Sequence, residues 1–110
     1  MKIDLYFKDC LLGQLSKEDE RYAFKLDAQG YDKMKSFPSV MFAFEVAGLG
    51  EGEFDGIPQF FMDEFVNNIK VRSDIKASAS IVESDDDMTI LYKYAALKQN
   101  DYKFHLKQCK

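Results

Sequence analysis

Tryptophan is absent, histidine occurs once, and the chain has only two prolines, two cysteines and two arginines against thirteen lysines. Each scarcity excludes something. A single histidine, His105, leaves no second partner of its kind for a proton relay or for most catalytic metal sites. Cys10 and Cys109 lack the paired spacing of a zinc site or a disulfide framework, and a bridge joining the two ends of the chain is the lesser expectation in a reducing compartment. No long hydrophobic run exists: the longest, Val40 to Leu49, is broken by Glu45 and is too short to span a bilayer. The opening Met1–Asp9 alternates charged and apolar residues and lacks the apolar centre of a secretory signal. The expectation is a cytoplasmic protein without a membrane segment.

What is plentiful is aromatic. Ten Phe and six Tyr in 110 residues, at net charge −4, supply a substantial core for one small acidic domain, residues 1–110. Ile3, Leu5 and Phe7 alternate with polar residues as in a half-buried strand; Leu11 to Leu15 predicts a return strand, Ser16 to Asp19 a turn, and Tyr22, Phe24 and Leu26 a third strand. Residues 27–38 look irregular, with at most one helical turn. Ser39 to Ala47, apolar on both faces, predicts a covered strand, followed by a flexible acidic loop from Gly48 to Gly56. Pro58 then opens the clearest helix, about residues 57 to 70, whose stripe is Ile57, Phe61, Met62, Phe65, Val66 and Ile69. Phe60 lies off that stripe at 100° per residue and is expected to be exposed. The last third reads as a second meander, with strands near Ile75–Ile81, Met88–Leu97 and Tyr102–Lys107. The predicted fold is α+β: a mostly antiparallel sheet or open barrel, built from two β-meanders with the one main helix packed on it.

Leu5-Tyr6-Phe7-Lys8-Asp9-Cys10-Leu11-Leu12-Gly13-Gln14-Leu15, followed by Tyr22-Ala23-Phe24-Lys25-Leu26-Asp27, resembles the opening meander of the N-terminal subdomain of HipA-type toxin kinases. The resemblance rests on hairpin spacing. The Ser-Leu-Ser-Leu-Pro-Leu strand and Leu-Leu-Pro-Glu-Gly segment of that family have no counterpart, so it implies a meander and no function.

Motifs for chemistry fail on spacing or charge. Asp85, Asp86 and Asp87 are adjacent and diverge, without the glycine and distant glutamate of a calcium loop, and read as a solvated turn. Gly48, Gly50 and Gly52 do not follow a phosphate-binding spacing, and Glu51, Glu53 and Asp55 would repel a phosphate at the helix start. No motif supports an enzyme, a metal or a cofactor.

Two surfaces remain. From Glu45 to Glu64 there are six acidic residues and no Lys or Arg, with Phe54, Phe60 and Phe61 interleaved. Glu51, Glu53, Phe54, Asp55, Phe60, Asp63 and Glu64 form the predicted protein-binding set. It would suit a non-enzymatic binding domain of inhibitor, immunity or antitoxin type that engages a basic protein. The alternative is a regulatory nucleic-acid-binding domain, RNA ahead of DNA, using Lys76, Lys93, Lys103, His105 and Lys107 side by side on the outer face of the final meander. After Asp74 there are six Lys against four Asp and one Glu, but the whole chain is acidic and nearly lacks Arg. Among partners, a homodimer is a further expectation.

Overall fold

A computed structural model describes residues 1–109. Three strands open the chain: β1 (Lys2–Phe7), β2 (Cys10–Glu18) and β3 (Arg21–Leu26). Ser16 to Glu18, expected as turn, extend β2, and the chain reverses only at Asp19, where φ is +55°. Two helices follow, α1 (Ala28–Met34) and α2, which begins as Pro38–Met41 and widens into a π-helical turn over Phe42–Val46. A short strand, β4 (Gly52–Phe54), precedes α3, made of Gln59–Phe61, a second π-helical turn Met62–Val66, and Asn67–Lys70. Helices α4 (Ser73–Ser78) and α5 (Asp87–Tyr94) lead to the last strand, β5 (Phe104–Cys109).

The strands form one open, fully antiparallel sheet in the order β4-β3-β2-β1-β5, so the expected α+β class holds and the barrel alternative does not. The chain leaves one margin of the sheet at β4 and returns at the opposite margin in β5. The α3–α5 segment spans that gap.

The second meander is not one. Ile75–Ile81 and Met88–Leu97 are largely helical, and only the final strand is as expected. Helix α5 starts because the Asp86 carboxylate accepts the Thr89 N–H at 2.8 Å, satisfying a donor that no helical carbonyl can reach. Ser39–Ala47 is also helix rather than strand. Pro38 occupies its first turn, Val40 and Ala43 face inward, and Gly48 at φ +75° ends it so that Leu49 N–H can donate to the Ala43 carbonyl. Residues 27–38, expected to be irregular, contain α1, whose start is fixed by an Asp27 carboxylate accepting Gly30 N–H at 2.9 Å. Gly30 must be glycine: a Cβ there would stand 1.6 Å from the Leu11 carbonyl oxygen.

One face of the sheet is dry. Ile3, Leu5, Phe7, Leu15, Phe24 and Leu106 project into a core completed by Val40, Ala43, Phe61, Val66, Ile69, Met88 and Leu91. Register places Lys2, Asp4 and Tyr6 of β1, Gln14 and Ser16 of β2, Lys25 of β3 and Lys107 of β5 on the opposite face. Cys10 pairs beside Phe7 and Cys109 beside Lys2, so the two thiols lie at opposite ends of β1 and on either side of it, offset by about 17 Å along the strand, and both are free. At the β5 margin the Gln99 side chain accepts from Leu106 N–H at 2.9 Å and donates to the Leu106 carbonyl at 3.0 Å, taking the place of a neighbouring strand.

Candidate functional site

A concavity of about 650 Å³ lies between α2, α3 and the turn before β5. Four phenylalanines from four segments, Phe7, Phe42, Phe60 and Phe104, supply its aromatic lining, with Asp63, Glu64 and Lys103 as its charged residues. Phe42 is 58% exposed and Tyr102, at the far lip, 84%. Both are large aromatic surfaces left in water beside a largely apolar groove.

Phe60 is a correction. Expected on the outside, it is 5% exposed, its ring edge-on to Phe61 at 5.5 Å, Phe65 at 6.4 Å and Phe104 at 5.0 Å. The flank of α3 that a free helix would present to water is covered by β5, which supplies Phe104. Phe60 is thus the floor of the groove, and the exposed phenylalanine is Phe42, which the sequence pattern places in a strand.

Of the predicted acidic set, Phe60, Asp63 and Glu64 come together. Asp63 accepts the Gln59 amide at 2.8 Å. Burial raises the Glu64 carboxyl above its ordinary range, with Lys103 pulling the other way. The rest of the set is elsewhere. Glu51 accepts the Leu26 N–H at 2.9 Å and so ties the β4 loop to β3. Glu53 is 3.9 Å from Arg21 and exposed, Phe54 is half-buried against the core, and Asp55 is exposed outside the groove.

The five residues of the Lys-bearing surface are dispersed. Lys76 is on α4 and Lys93 on α5, so neither shares a sheet face with the final strand. Lys93 is held by Asp85 at 2.6 Å, an interaction that lowers the Asp85 carboxyl. Lys103 faces the groove. Only His105 and Lys107 share the outer face. His105 is 4% exposed rather than superficial, because it stacks on Tyr6 at 5.5 Å and its Nδ1 lies 3.0 Å from the Lys103 carbonyl. The Asp85–Asp87 run is structural: Asp85 pairs with Lys93, Asp86 caps α5 and pairs with Lys17 at 3.1 Å, and Asp87 pairs with Lys70 at 3.0 Å. Among the described residues no cluster of three potential metal ligands occurs, and no helix is long and apolar enough to cross a membrane.

No family model, curated protein or solved structure matches the chain.

Proposed function

We propose that the protein is a binding domain of inhibitor, immunity or antitoxin type, which acts by holding a protein segment that carries an apolar anchor flanked by Lys or Arg. The single observation behind this reading is the groove itself: an aromatic floor and an exposed Phe42 beside the carboxylates of Asp63 and Glu64. Aromatic surface supplies affinity on desolvation, while a carboxylate rim favours basic partners and repels acidic ones. A second copy of the chain is a poor occupant, since it is itself acidic and would bring like-charged rims together.

The test is an amide-resolved NMR titration with two synthetic peptides that share a Phe anchor, one with Lys/Arg flanks and one with Asp/Glu flanks. The basic peptide should shift the amides of Phe42, Phe60, Asp63, Glu64 and Phe104, and Phe42→Asp should abolish those shifts while leaving the spectrum folded. Shifts confined to other surfaces, or equal binding of both peptides, would overturn the reading. Shifts produced instead by single-stranded RNA on the Lys107 face would favour the nucleic-acid alternative.

A further inference from the structure

The groove does not end at Glu64. A second concavity of about 450 Å³ continues along α3, and Glu64, Lys103 and Phe104 line both. The first compartment is aromatic. The second is bounded by Phe65 and Tyr94 together with Asn68, Asn100 and Arg72. Any segment long enough to occupy both must pass the Glu64 carboxylate.

Glu64 differs from the other acids that contribute to the architecture. Asp74, Asp85, Asp86 and Asp87 each hold a Lys or Arg, Asp63 takes the Gln59 amide, and Glu51 takes a backbone N–H. Among the described residues, no cation lies within 4.0 Å of Glu64. Lys103 shares both compartments with it without forming that contact. The Glu64 side chain is exposed to both compartments and held by no ion pair, so its carboxylate is open to a ligand that brings a cation. Arg72 is not available to pair with it, because its Nε and one terminal nitrogen donate to Asp74 at 3.0 and 2.7 Å.

We infer that Glu64 is a specificity-determining residue that reads an arginine next to the apolar anchor of the bound segment, at the divide between the two compartments. Guanidinium fits better than ammonium. Its planar fork can meet a carboxylate through two N–H donors, and its flat face can stack on aromatic rings such as Tyr94 and Phe104, which line the same passage. The inference rests on the groove being the binding surface and adds what that surface selects.

The test uses the intact domain and a set of fluorescein-labelled peptides, each with one Phe anchor and one Arg placed one to four residues after it. Each peptide has a twin in which the Arg is citrulline, a neutral isostere, and another in which it is Lys. Fluorescence anisotropy should show at least one spacing at which Arg binds about tenfold tighter than citrulline, the ratio expected when a charge-assisted hydrogen bond is lost. Lys should fall between them. Glu64→Gln should remove the Arg-to-citrulline difference, and the difference should shrink as pH falls through the Glu64 titration. If Phe42→Asp abolishes binding but Arg and citrulline bind equally, or if Glu64→Gln preserves their difference, this inference fails and the groove reading survives. If Phe42→Asp binds every peptide like the wild type, or if no peptide binds below about 1 mM, both fail.

Discussion

Helices α2 and α3 are built from similar material and spend it differently. Both are rich in Phe, and each contains one π-helical turn, closed by Ala47 N–H to Phe42 O in α2 and Asn67 N–H to Met62 O in α3. In α3 the result is almost complete burial: Phe60, Phe61, Phe65, Val66 and Ile69 all leave solvent. In α2 only Val40 and Ala43 do so, while Phe42 and Val46 stay in water. The extra residue of a π-turn rotates the following side chains relative to those before it. On α3 two flanks pack, one on the sheet and one under Phe104. On α2 Phe42, at the start of the turn, stands as a lip over the groove. One helix is anchored in the core by five buried apolar side chains, and the other keeps Phe42 and Val46 at the surface.

The sharpest way to break this contrast is to truncate both helices. Phe61→Ala should cost about 3–5 kcal/mol, because it removes a fully buried ring and leaves a cavity, and urea denaturation at pH 7 will measure it. Helix α5 backs α3, so its cap comes next. Asp86→Ala should lose about 1 kcal/mol. The Asp86 carboxyl is drawn down to about 2, first by its bonds to Thr89 and then, against some burial, by Lys17. The unfolded chain binds that proton more readily, with a value near 3.9. This contribution is therefore complete above that pH and is lost as pH falls toward 2. Asp86→Ala should flatten that part of an acid melt.

Smaller still is Phe42→Ala, which should change stability by no more than about 0.5 kcal/mol, the range of exposed sites, while weakening peptide binding. A large loss of stability would show that α2 is structural after all. Last comes Glu64→Gln, where the sign reverses. The Glu64 carboxyl is raised in the fold, so its ionised form is destabilising at neutral pH and that penalty disappears as pH falls below its titration. The variant should melt slightly higher than wild type at pH 7 and equally at low pH, by differential scanning calorimetry. Gaining stability while losing binding is the signature of a group kept for a ligand.

The first meander and α3 are legible in the sequence because each carries one unambiguous period: two in Ile3–Phe7 and Tyr22–Leu26, near 3.6 from Phe61 to Ile69. The helices that read as strands lack that clarity. Ser39–Ala47 is apolar at nearly every position, and periodicity cannot separate a covered strand from a buried helix there. The deciding signals are its punctuation, Pro38 at the start and Gly48 at the end. Ile75, Ala77, Ala79 and Ile81 alternate, yet Ala, Lys and Ser are not strand formers, and Asp86 three residues before Thr89 is a helix start. The acidic half of the site, Asp63 and Glu64, was visible as a charge pattern. The groove was not, since Phe7, Phe42, Phe60 and Phe104 are scattered along the chain and meet only when β5 crosses to the far margin beside β1. His105 likewise sits on the outer face by register but is hidden by Tyr6 beside it.

The Gln99 bonds to Leu106 bear on how the domain behaves in company. An unpaired margin invites another chain to continue the ladder, and here the inviting rung is already filled by a side chain of the same molecule. At Leu106 an approaching strand would find both backbone groups already occupied.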